Sequence, residues 1–168
     1  MRKPSKIKEM VAKTTKLLLP GFGEIMWFGT VYFKNQNDAD EFNKSDTERM
    51  KRIRTHETTH LRQAESTGDS WLKYYTKYIW QWICNIPLMA IEVNMAYKFI
   101  PFELEAYANQ INPLYVTNGP VYQWKEFKKL TLKEKKHYAK LYKIEKIQFT
   151  KFINDYIVPY LKNKSEVK

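Results

Sequence analysis

Arg54-Thr55-His56-Glu57-Thr58-Thr59-His60-Leu61-Arg62-Gln63 holds a His-Glu-x-x-His motif. On a helix, two histidines four residues apart stand one turn above each other on one face. Their neutral imidazoles can then share one tetrahedral Zn²⁺. The glutamate between them, Glu57, lies close enough to that face to take a proton from a water on the metal. Only three histidines occur in 168 residues, and two stand here.

The surroundings predict the helix the motif needs. Ser45 and Glu48 read as a capping box, which starts the helix at about residue 46. Met50, Ile53, Glu57, His60, Leu61 and Ala64 make one stripe at helical spacing, so the motif faces inward. Gly68 supplies the stop.

On the N-terminal side, Ile25 to Phe33 is aromatic and β-branched and reads as strand, or as two short strands hinged at Gly29. Trp27, Phe28, Gly29, Thr30, Val31 and Tyr32 are candidates for a sheet edge that pairs with an extended peptide. Further upstream, residues 4–19 read as an amphipathic helix closed by Pro20 and Gly21. On the C-terminal side a helix starts near Asp69 or Ser70. Its stripe of Trp71, Leu72, Tyr75, Tyr78, Ile79, Trp82 and Ile83 reads as core. Pro87 breaks it, residues 88–99 resume as helix, and Pro101 opens another. Residues 112–120 read as loop. Thr131 with Glu134 caps a last helical segment, one helix or two, that runs to about residue 162. The expected fold is mainly α with a small β element, an α+β class, in a single domain over 1–168.

Composition bounds the function. Aromatic residues at 15% imply a packed core, and five glycines with seven prolines argue for helices. The single Cys84 excludes an intramolecular disulfide, fits a reducing compartment and reads as a buried thiol. Leu17-Leu18-Leu19 is too short for a signal-peptide core, and no apolar run is long enough to span a membrane. A cytoplasmic or virion-associated location is expected. The net charge of +11 favours anionic partners: nucleic acid, phospholipid headgroups or acidic cell-wall polymers. The lysines are spread along the chain as on a solvated surface, and no nucleic-acid-binding motif is present.

A zinc site of this type needs a third protein ligand. His137 lies among lysines and reads as a surface histidine. Glu103 and Glu105 sit amid apolar residues after Pro101, where carboxylates are costly without a partner. Two residues apart on a helix, only one of them can face the metal.

His-Glu-x-x-His followed some forty residues later by Glu-x-Glu-Ala resembles the gluzincin metallopeptidases. More narrowly, the aromatic strand, the His56 to Gln63 helix and Pro101 to Tyr107 resemble small bacterial and phage metallopeptidases of the DUF4157-like kind. The resemblance covers residues 24–112, which would form a zincin-like core with the motif helix beside a strand or hairpin. Residues 1–20 and the helical extension 120–162 lie outside it. It implies Zn²⁺ on His56, His60 and Glu103, with Glu57 as general base. Where the family commonly carries an aspartate supporting a histidine ligand, this chain has Tyr107, whose hydroxyl is the candidate for that work. Glu105 is left as helix surface, ion-pair partner or alternative ligand. A tyrosine or Arg62 is expected to steady the oxyanion. The expected substrate is a peptide or protein, with cell-wall peptides among the candidates. Two rival readings stand beside this one: a structural part of a virion or tail-like assembly that keeps the fold, and a basic binder of nucleic acid or membrane surfaces.

Overall fold

The computed structural model describes residues 7, 10–18 and 23–166, which are mainly helical with one small sheet. Three strands, β1 (Val11–Thr14), β2 (Glu24–Trp27) and β3 (Thr30–Phe33), lie in the order β1-β3-β2. β3 is central, parallel to β1 and antiparallel to β2. Phe28 and Gly29 join β2 to β3 with φ of 49° and 79°. Two consecutive positive φ values are those of a type I′ hairpin turn, whose twist suits antiparallel strands. At Phe28 this costs strain, which packing opposes: the Phe28 ring lies 4.9 Å from that of Tyr75, and the Tyr75 hydroxyl accepts the Phe28 N–H at 3.0 Å.

The helix expected over residues 4–19 is corrected. Val11–Thr14 is strand, and residues 1–6, 8, 9, 19 and 20 lie outside the described residues. Local periodicity favoured a helix, but pairing with β3, a non-local contact, decides the conformation.

After the sheet comes α1 (Gln36–Lys44), which the sequence reading did not contain. Asn35 caps it, accepting the Asp38 N–H. Ser45 therefore closes α1 rather than opening the motif helix, and Thr47 caps α2 (Glu48–Ser66) by accepting the Met50 N–H. Gly68, at φ +98°, follows the end of α2 as expected. Met26, Val31 and Phe33 from the sheet pack with Ala39, Phe42 and Met50 beneath it.

Ser70 caps α3 (Trp71–Asn85), and here the core assignment holds in part: Trp71, Tyr75 and Tyr78 are half-buried against Tyr74, Ile100 and Phe102. Tyr74, Gln81 and Asn85 are the buried residues, while Leu72, Ile79, Trp82 and Ile83 are exposed. Cys84 is exposed too, not buried. Residues 86–99 are mostly turns, with a 3-10 turn at Ile86–Leu88 and a short α4 (Met95–Lys98), less helix than expected. Then follow α5 (Pro101–Asn109), a 3-10 turn at Pro113–Val116, and α6 (Trp124–Phe127). Leu61 and Ala64 of α2 meet Tyr74, Ile100, Phe102 and Trp124 in a second cluster.

The capping box of Thr131 and Glu134 opens α7 (Leu132–Glu145), which ends at Lys146 with φ +52°. A further helical run, α8 (Phe149–Phe152), a π turn at Ile153–Ile157 and α9 (Val158–Glu166), packs with α7 against Leu104 and Ala108 of α5. Glu134 ties the ends of this pair together. It accepts from Lys164 at 2.7 and 2.9 Å and from the Tyr160 hydroxyl. Burial pushes the Glu134 carboxyl up, but Lys164 and Tyr160 outweigh it and hold it at about 2. The folded value lies below the unfolded 4.5, so the stabilisation is full above about pH 4.5 and is lost as pH falls toward 2. Glu134→Gln is expected to lower the melting temperature at pH 7, and the gap to wild type should close by about pH 2.

Candidate metal centre

α2 and α5 build the site between them. His56 and His60 stand one turn apart on α2, and Pro101 starts α5 so that Glu103 falls in its first turn. All three side chains are buried, and their donor atoms lie within 4.8 Å of one another. The two Nε2 atoms are 3.1 Å apart. Glu103 Oε2 lies 3.5 Å from His56 Nε2, and Oε1 lies 3.3 Å from His60 Nε2. Such a buried cluster can hold a metal ion.

Its charges are strongly coupled. Glu103 is held well below the usual carboxylate range, against its own burial, by His60 and His56. Burial pulls the His60 imidazole down, but Glu103 outweighs it and lifts it to about 9. Tyr78 donates to Glu103 Oε1 at 2.7 Å, and Tyr97 hydrogen-bonds the same carboxylate. Burial pushes both phenols far up, with Glu103 adding to it, so they stay protonated donors.

The tautomer of His60 follows from its neighbours. Gln63 Nε2 donates to the Phe102 carbonyl at 2.9 Å and to Glu105 Oε2 at 2.6 Å. Its Oε1 therefore faces His60 Nδ1, 2.8 Å away, as an acceptor. In the neutral form that a metal requires, Nδ1 therefore carries the proton and the Nε2 lone pair is directed toward Glu103 and His56. The Tyr74 hydroxyl lies 3.1 Å from the same Nδ1. Glu105 also accepts from Tyr115 at 2.6 Å. It is neither helix surface nor part of the donor cluster; it anchors the glutamine that orients His60.

That orienting role had been expected of Tyr107. Tyr107 instead packs edge-on against the His56 ring, with centroids 4.6 Å apart, and hydrogen-bonds Tyr97. The signal for Gln63 was its position three residues beyond His60, on the same helical face. Gln63→Met is expected to weaken metal affinity by about 10–100-fold with the fold retained, measured by competition with a chromophoric chelator.

Glu57 is buried, and its Oε2 has no hydrogen-bond partner. Burial pushes its carboxyl up, against the pull of His56 and His60. Glu57 lines a cavity of about 180 Å³ together with His60, Glu103, Tyr78 and residues 24–27. A wider groove continues on the His56 side, past Arg49, Arg52 and Lys98. The strand edge at the cleft is thus β2, Glu24–Trp27. Thr30, Val31 and Tyr32 belong to central β3 and have no free edge, and Phe28 and Gly29 form the turn, so of the expected stretch only Trp27 lies on the edge strand. Arg62 is also removed from the site: it donates to the Val116 carbonyl and to Glu65. His137 is exposed on α7.

Glu24 was not anticipated. It lines both the cavity and the groove, and burial raises its carboxyl while His56 lowers it. No family model, curated protein or solved structure matches this chain.

Proposed function

We propose that this chain is a zinc-dependent peptidase of gluzincin type, with His56, His60 and Glu103 as ligands and Glu57 as general base. The observation that carries the proposal is the convergence of the donor set. Zinc bonds of about 2.0–2.1 Å in a tetrahedron give ligand–ligand edges of roughly 3.3–3.4 Å. Here the two Nε2 atoms are 3.1 Å apart, and the Glu103 carboxylate straddles them, with Oε1 3.3 Å from His60 Nε2 and Oε2 3.5 Å from His56 Nε2, so each pair stands near the spacing of ligands on one small cation. The unpartnered buried oxygens Glu57 Oε2 and Glu103 Oε2 at the same place fit a centre that a cation and a water would complete.

Bound there, Zn²⁺ would act as a Lewis acid that activates water near neutral pH and polarises the scissile carbonyl. Glu57 Oε2 is free to take the attacking water's proton and deliver it to the leaving amine. The β2 edge offers main-chain groups to an extended peptide along the cavity. Tyr78 and Tyr97, which line that cavity, spend their hydroxyl protons on the Glu103 carboxylate and so hold the third ligand in place, and Arg62 does not reach the cavity. Helix α2 beside a hairpin edge, with α5 supplying the third ligand, supports a zincin-like arrangement over 24–112.

The test is metal content beside peptide hydrolysis. Purified wild type should hold about one zinc per chain and cleave an unfolded protein such as casein. His60→Ala and Glu103→Ala should lose the metal, and Glu105→Ala should retain it at reduced affinity. A folded wild type that takes up no zinc would overturn the proposal.

A further inference from the structure

Helix α3 turns an apolar face away from the protein. Leu72, Ile79 and Ile83 recur at spacings of seven and four and form its centre line. Leu72 is 76% exposed, Ile79 51% and Ile83 45%. Trp80, 66% exposed, stands on one flank, and Trp82 on the other. The face continues beyond the helix to exposed Ile86 and Met89. It also reaches the hairpin tip, where exposed Trp27 and Phe28 each place a ring 4.9 Å from that of Tyr75. A contiguous patch of this kind marks a docking surface.

The chemistry of the face selects the occupant. The only charged residues within Trp71–Asn85 are Lys73 and Lys77, both exposed and both beyond Trp80 on the flank of the apolar line. No acidic residue interrupts the helix, and the chain carries +11. Across the face the order is aliphatic, tryptophan, lysine. That is the order of acyl chains, interface and headgroups with depth in a bilayer. A protein partner is usually fixed by directional polar groups near the centre of a patch. The one polar side chain there, Thr76, spends its hydroxyl on the Leu72 carbonyl at 2.8 Å. No described helix is long and apolar enough to cross a membrane, so α3, about 22 Å long, would lie on the surface.

We propose that the outer face of α3 docks on a bilayer rich in anionic lipid. Leu72, Ile79 and Ile83 enter the acyl boundary, and Lys73 and Lys77 meet the phosphates. The docking does not depend on the peptidase reading. Together the two place the reaction near a membrane surface, because Ile25, Trp27 and Ile79 line the cleft beside this face.

The experiment uses the full chain with vesicles of phosphatidylcholine, alone or mixed with phosphatidylglycerol. Co-sedimentation should be stronger by about tenfold or more on the anionic vesicles and weaken with salt. Brominated acyl chains should quench tryptophan fluorescence. Leu72→Asp with Ile83→Asp, both outside the cleft, should abolish binding to both vesicle types without changing zinc content. Lys73→Glu with Lys77→Glu, which spares the apolar line, should remove only the preference for anionic lipid. The proposal is overturned if wild type ignores anionic vesicles, or if both double variants bind as wild type does. It is equally overturned if the substitutions at 72 and 83 instead dissolve a lipid-free dimer, which would make the occupant a second copy.

Discussion

Glu57→Gln is expected to bind metal as wild type does and to hydrolyse peptide about 10²–10⁴-fold more slowly. The two halves of this result come from different observations. Metal binding survives because Glu57 is not among the three donors that converge, His56, His60 and Glu103. The rate falls because an amide of the same shape cannot accept the proton that Glu57 Oε2, buried and unpartnered, is placed to take. Stability should not fall with it. Burial disfavours the Glu57 carboxylate, so a neutral side chain removes a cost. A variant that lost zinc would make Glu57 a ligand. One that kept full activity would return the base role to another cleft carboxylate, of which Glu24 is the nearest in kind. His60→Ala separates these cases, since it should lose metal and activity together.

The motif helix was legible because every local signal agreed: periodicity, a polar cap and a glycine stop. Even there the cap moved from Ser45 to Thr47, because Asn35 starts an unexpected helix whose end Ser45 closes. The hairpin was half legible. Its turn uses Phe28-Gly29 rather than the usual Asn-Gly, and what holds Phe28 at positive φ is Tyr75, 47 residues away. β1 could not be read locally, since its partner β3 makes it a strand. The orientation of α3 was legible only in part, with Trp71, Tyr75 and Tyr78 inward as read and Leu72, Ile79, Trp82 and Ile83 outward. Apolar residues occupy most of its circumference, so hydrophobic periodicity could not select a face. Polar groups selected it: Tyr78 bonds Glu103, and Asn85 joins the Ala96 carbonyl to Lys135. The residues that orient the metal site thus decide which side of α3 is inside, and the aliphatic line is left outside. At the site, the convergence of His56, His60 and Glu103 was legible from spacing and resemblance. The support of His60 was not, because Gln63 and Glu105 meet only when α5 packs on α2.

Phe102→Ala is expected to cost about 3–5 kcal/mol and Leu72→Ala less than about 0.5 kcal/mol, a contrast that reads the orientation of α3 directly. Phe102 is fully buried next to Glu103. Its ring stacks on Tyr74 of α3 at 5.0 Å and meets Trp124 edge-on at 4.9 Å, so truncation opens a cavity among three elements. For a chain of this size the melting temperature should fall by on the order of 10 °C. The backbone carbonyl that receives Gln63 remains in the alanine variant, so whatever folded protein persists should still take up zinc, with affinity lowered by looser positioning of Glu103. Leu72 loses little because it gives up surface already open to water. Thermal or denaturant unfolding of the two variants is the measurement. Equal costs at the two positions would mean that α3 buries the Leu72, Ile79 and Ile83 line. The packing of Tyr74 and Tyr78 about Phe102 and Glu103 would then be wrong, and the lipid-docking face with it.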